Sequence, residues 1–233
     1  MKKWLRVSLI YLLVLAFVSV FTLWGSRALT VLSEHRPIDR EVCVIIDAGH
    51  GGVDGGAISC RGVLESQINL EISLRLEDLL HLLGIRTQMI RTDDRSVYKE
   101  GNSIAAKKVS DLKERVRIVN DTENAVLISI HQNTFPDSRY SGAQVFYGKE
   151  QGSHELAKSM QSNFVSALNP GSNRKCKKGS SIYLLENVNC TAILVECGFL
   201  SHPVEEARLR DQVYQQQICS VIAATLSTFL SNT

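Results

Sequence analysis

Four side chains in this sequence are of types that together can hydrolyse an unreactive bond, and three of them end apolar runs. His50 follows CVIIDAG, His131 closes AVLISIH, and Glu196 follows TAILV. Glu65 opens an amphipathic stretch. Two His and one Glu form a ligand set for hydrolytic zinc that leaves a coordination position open. A carboxylate at the end of an apolar strand is costly unless it has a partner or a task. Beside such a metal, Glu196 would act as a general base on the attacking water. Each residue also has a plainer reading. The His could be hydrogen-bonded structural residues, Glu65 could favour a helix dipole from the first turn, and Glu196 could be half of an ion pair. No HExxH is present, so ordinary zincin chemistry is not supported. His35, His81, His154 and His202 sit in tether, helix-end and turn contexts and read as solvated or structural.

His50 lies inside IIDAGHGGVDGGA (45–57), which also invites a phosphate reading. The dinucleotide fingerprint needs Gly at the first, third and sixth positions. Counted from Gly49, the sixth position is Asp54, and no Gly-Lys-Ser/Thr follows for a P-loop. The glycines therefore serve tight turns and close backbone approach.

The elements that must position these residues alternate. EVCVIID, IRTQMIRT, AVLISIH, GAQVFYG, SSIYLLEN and TAILVECGF read as strands. Residues 65–83 place Ile68, Ile72, Leu76, Leu79 and Leu83 on one helical face, with Gly84 as the stop. A charged helix over 107–121 turns Leu112, Val116 and Val119 inward. Residues 153–168 form a helix with Ser153 as N-cap, and one long or two consecutive helices close the chain from Glu205. This order predicts a single α/β domain over 41–233, a twisted, mostly parallel sheet with helices on both faces. Functional groups in such sheets gather at the carboxyl ends of the strands, where 47–50, 129–131 and 196–198 fall.

Before the domain, Lys2, Lys3 and Arg6 flank an uncharged apolar run from Val7 to Ser26. As a helix it would reach roughly 30 Å, the thickness of a hydrocarbon core. It reads as an N-terminal transmembrane anchor over 1–26, with a cleaved signal as the alternative. The basic flank belongs inside, so the domain is expected to be extracytoplasmic; residues 27–40 form a polar tether. The net charge of +2 gives no reason to expect a nucleic-acid partner. The six Cys include no C-x-x-C pair, which excludes zinc-ribbon and thioredoxin motifs. Cys43 and Cys197 read as small core residues.

DAGHGGVDGGA…GVLESQINLEIS, SDLKERVRIVN…AVLISIHQN and AILVECGFLSHPVEEARL resemble the zinc-dependent N-acetylmuramoyl-L-alanine amidases called type 3, over residues 42–230. The resemblance implies one zinc ion per chain, with His50, Glu65 and His131 as ligands and Glu196 as catalytic base. Asn133, Arg174 and Lys175 are then substrate-binding residues, although 174–178 also reads as a solvated basic loop. Arg115 and Asn120 match family positions and are expected to support the fold. The sequence departs from the family's pattern at Ala48, Gln132, Cys197 and His202, none of which is a ligand.

Within the family, the compact domain, the anchor and NPGSNRKCKKGSSIYLLENV are similar to the sporulation branch that acts on spore cortex. That implies hydrolysis of the amide between the lactyl group of N-acetylmuramic acid and L-alanine in peptidoglycan. A muramic acid deacetylase then completes muramic-δ-lactam. The domain carries no wall-binding module, which motivates a partner protein for targeting or activation. Two other classes stay open: a zinc peptidase cutting within the stem peptide, and an inactive peptidoglycan-binding protein.

Overall fold

In the computed structural model, residues 41–232 are described. The expected membrane anchor and tether lie outside them, and no helix among the described residues is long and apolar enough to cross a membrane. Six strands form one sheet: β1 (Cys43–Ala48), β2 (Thr87–Met89), β3 (Ala125–Asn133), β4 (Gln144–Tyr147), β5 (Lys177–Lys178) and β6 (Thr191–Phe199). Their spatial order is β2-β1-β3-β6-β4-β5. The first four run parallel, and β4 pairs antiparallel to β6. The predicted mostly parallel α/β domain is what forms.

The helices are α1 (Glu65–Leu82), α2 (Ile104–Asn120), α3 (Ser153–Ala167), α4 (Tyr183–Asn187), α5 (Pro203–Leu209) and α6 (Gln212–Leu230). Helices α2 and α4 pack together, as do α1, α6 and α3. Side chains alternate along each strand, so Ile45, Leu127 and Leu194 join Val119 of α2 and Leu184 and Leu185 of α4 in one apolar cluster. All of β1 is buried, as a strand covered on both faces requires. Burying each large aliphatic side chain contributes roughly 1.5–3 kcal/mol.

Four local expectations are corrected. SSIYLLEN is not a strand: it holds the short helix α4, which turns Leu184 and Leu185 inward. Asn187 Nδ2 donates to the Tyr183 carbonyl at 2.8 Å and closes that turn; β-branched and aromatic content misled because packing, not propensity, decides so short a segment. Leu112 does not point inward. It is 38% exposed, because Arg115 and Val119 take the buried stripe of α2. Ser153 does not cap α3; Gly152 occupies the N-cap, and the Ser153 hydroxyl accepts from the Ala192 amide at 3.0 Å. On α1, the inward stripe ends at Leu80 rather than reaching Leu83, which is 45% exposed.

Other expectations hold. Gly84, at φ +73°, follows the last turn of α1, and its amide reaches the His81 carbonyl at 3.0 Å. Cys43 and Cys197 are core residues. None of the six cysteines is in a disulfide. Two consecutive helices close the domain.

Candidate metal centre

Strands β1, β3 and β6 deliver their carboxyl ends side by side. Asp47 pairs in register with Ser129, and His131 with Glu196. The chain leaves β1 through Gly49 and His50, then returns at α1 with Glu65. This turn requires His50 to adopt φ +60°, a conformation that non-glycine residues rarely hold. Such strain persists only where the surroundings over-determine it.

The surroundings do so. Arg115, fully buried on α2, donates through Nη2 to the His50 carbonyl at 2.7 Å and through Nη1 to the Ala48 carbonyl at 3.0 Å. Its Nη1 also pairs with Asp47, and its Nε with Asp111 at 2.6 Å. Ser129 Oγ donates to Asp47 at 2.6 Å. Burial alone would push the Asp47 carboxyl up. Arg115, His131 and the Ser129 hydroxyl outweigh it and hold that carboxyl below its ordinary value. Arg91 adds bonds to the carbonyls of Ala48 at 2.8 Å, Gly49 at 3.0 Å and Ser66 at 2.8 Å. Thus two buried guanidiniums fix the backbone on either side of the loop.

His50, Glu65 and His131 come together, with one donor atom from each within 4.8 Å of the others. His50 Nε2 lies 3.3 Å from Glu65 Oε2, and His131 Nδ1 lies 3.0 Å from Glu65 Oε1. Asn69 Nδ2 and the Gln132 amide also donate to Glu65 Oε1, at 3.3 and 3.1 Å. Gln132 therefore supports Glu65 through its backbone. Its side-chain amide reaches Asn69 Oδ1 at 3.2 Å.

The glycines explain how the groups approach so closely. A Cβ at Gly49 would stand 2.2 Å from His131 Nε2, and one at Gly56 would stand 2.6 Å from Glu65 Oε2. Both positions admit only hydrogen.

Electrostatics follow from this crowding. Burial would lower the His50 imidazolium, but Glu65 and Asp54 outweigh it and raise the pKa to about 9. Burial would raise Glu65, yet His131 and His50 hold its carboxyl far below the carboxylate range. The protonated His50 imidazole here occupies the role a cation would take, and a metal must displace that proton to bind. Glu196 behaves oppositely. Burial, then the Glu65 charge, push its carboxyl up to about 7 against the pull of His131 and His50. Its Oε2 is buried without a hydrogen-bond partner among the described residues.

The donor set suits zinc: two imidazole nitrogens and a carboxylate oxygen from the body of the fold, with an orphaned carboxylate alongside. The three predicted ligands and the predicted base are therefore brought to one edge of the sheet. The predicted substrate-binding residues are not all there. Asn133 ends β3, and its carbonyl accepts from the Leu200 amide at 2.8 Å. Arg174 lies with its guanidinium 5.1 Å over the Phe199 ring. Arg174 and Lys175 line a separate groove of about 420 Å³ with His154, Lys158 and Gln161. The groove that contains His50 and His131, about 280 Å³, is walled by Lys108, Leu112 and Arg115 of α2 and by Ile182 and Tyr183. Sequence reasoning named Leu112 and Arg115 only as fold residues and missed Lys108 and Tyr183, which are ordinary surface types. It also missed Asp54, which stands one helical turn's spacing beyond His50 within the glycine loop. Asn120 supports the fold as expected, bonding the carbonyl of Asn187 at 3.1 Å and the amide of Asn189 at 2.8 Å.

The motif order, the parallel sheet and this centre define one class of protein. The family model for N-acetylmuramoyl-L-alanine amidases matches residues 44–228. The chain belongs to that family and is a peptidoglycan amidase. It is 38% identical over 181 residues to the germination-specific N-acetylmuramoyl-L-alanine amidase of Bacillus subtilis, covering 77% of this chain and 76% of that protein. Among solved structures it is similar to the CwlD amidase of Clostridioides difficile in complex with the GerS lipoprotein. That match has a TM-score of 0.79 and 38% identity, over 82% of this chain and 100% of the other. A second amidase, from Clostridium difficile 630, matches with a TM-score of 0.72 and 31% identity, over 82% and 98% of the two chains.

Proposed function

We propose that this chain is a zinc-dependent amidase of spore-cortex peptidoglycan, cutting between the lactyl group of muramic acid and L-alanine. The observation that supports it is the meeting of His50, Glu65 and His131 next to Glu196, which pairs in register with His131 and whose Oε2 is buried without a hydrogen-bond partner among the described residues. His50 and His131 present imidazole nitrogens, and Glu65 an oxygen, to the ion. When bound, zinc supplies Lewis acidity toward the scissile carbonyl and toward water. Glu196 takes a proton from the attacking water and returns it to the amine of L-alanine as the C–N bond breaks. A carboxyl raised toward neutrality by burial is suited to both halves of that exchange. The groove walls of α2 and α4 exclude water from one side and hold the substrate against the centre.

The germination-specific relative supports the cortex assignment, and the structure solved with a lipoprotein supports a protein partner for this chain. The apolar N-terminal run supports membrane anchorage outside the cytoplasm, where coupling to a muramic acid deacetylase would follow the cut. Digestion of purified cortex peptidoglycan with mass analysis of the products tests the reading. Intact stem peptides with a free alanine amino end are expected. Products cut between amino acids would instead identify a stem-peptide peptidase.

A further inference from the structure

The two histidines are held differently. His131 offers Nδ1 to Glu65, while its other nitrogen packs against Gly49. His50 has its outer nitrogen bonded: Nδ1 lies 2.9 Å from Asp54 Oδ2, which leaves Nε2 facing the centre. Asp54 is itself fixed. Lys108 Nζ on α2 sits 2.7 Å from Asp54 Oδ1, and the Gly56 amide donates to the same oxygen at 3.3 Å. Gly51 and Asp54 also exchange backbone bonds at 2.8 and 3.1 Å, so the loop that carries Asp54 is closed on itself.

We propose that Asp54 and Lys108 form a positioning clamp that orients the His50 imidazole for metal binding before the metal arrives. This rests on the zinc reading above. A carboxylate behind a ligating imidazole fixes its tautomer and ring angle. To that carboxylate this fold adds the lysine, which reaches across from α2 and ties the glycine loop to the helix that carries Arg115. His50 is then held at its backbone carbonyl by Arg115 and at its ring by Asp54. The clamp supplies rigidity that a loop with so many glycines lacks by itself. Lys108 acts only through Asp54, and neither residue touches the reacting atoms.

The test is zinc affinity of the full-length chain, measured by competition with a chromogenic chelator. Asp54→Ala is expected to bind zinc about 10–100-fold more weakly. Lys108→Met should weaken it by about 2–5-fold, since Lys108 is half exposed. Lys108→Arg should restore most of that loss. The double variant should match Asp54→Ala, because the lysine has nothing left to hold. Circular dichroism of each metal-free variant should remain that of the parent. Parent-like zinc affinity in a folded Asp54→Ala protein would overturn the clamp, as would equal losses from Lys108→Met in both backgrounds. Failure of the parent itself to bind zinc would overturn the metal reading first.

Discussion

Removing Arg115 should damage both the fold and the metal centre, and the structure fixes the scale. Arg115→Met deletes the cation that faces Asp47 and Asp111 and strips the donors from the His50 carbonyl. Asp47 is 1% exposed and would keep only the Ser129 hydroxyl; the Ala48 carbonyl would keep Arg91. Leaving one partner of a buried ion pair alone costs about 3–5 kcal/mol. For a domain of this size that is a drop of roughly 6–20 °C in Tm. The assay is urea unfolding, with the midpoint falling at unchanged slope. Asp47→Ala combined with Arg115→Met should be less destabilised than Arg115→Met alone, because no charge is then stranded. A loss below about 1 kcal/mol in the single variant, or a double variant that is the worse of the two, would refute the reasoning. Zinc affinity should fall along with stability, since Arg115 holds the His50 carbonyl while that residue sits at positive φ.

Other outcomes follow from the same geometry. Gly49→Ala should abolish zinc binding, because its Cβ would stand 2.2 Å from His131 Nε2; dialysis with metal analysis checks this. Asp47 has a depressed carboxyl, so its stabilising effect is present above its unfolded pKa and is lost as pH falls through the lower folded value. Acid unfolding of Asp47→Asn should accordingly be flatter below about pH 4 than that of the parent, as followed by fluorescence. Glu196 has the opposite sign. Its carboxyl, raised to about 7, destabilises the metal-free fold as pH rises from its unfolded value to that point. Glu196→Gln should stabilise the chelated protein at pH 8 by roughly 1–3 kcal/mol while abolishing turnover, as read by thermal melts beside the digestion assay.

Much of this was legible in the sequence because strand ends are legible. Apolar runs that stop at Asp47, His131 and Glu196 imply neighbouring carboxyl ends once the sheet is parallel, and Glu65 opens the helix that follows the first of them. The second layer was not legible. Lys108 meets Asp54 only because α2 crosses the glycine loop, and no local spacing encodes that crossing. Leu112 fits an inward helical stripe, yet α2 buries Arg115 to satisfy Asp47. Turning that face inward sends Leu112 to the groove. SSIYLLEN has strand composition, but as α4 it buries Leu184 and Leu185 and closes the groove with Tyr183.

The most direct measurement titrates zinc into the chelated full-length chain while counting alanine amino ends released from purified peptidoglycan. Activity should rise from near zero and break at one zinc per chain. Glu196→Gln should bind the same single zinc and release none. Full release by the metal-free protein, or undiminished release by Glu196→Gln, would contradict the account.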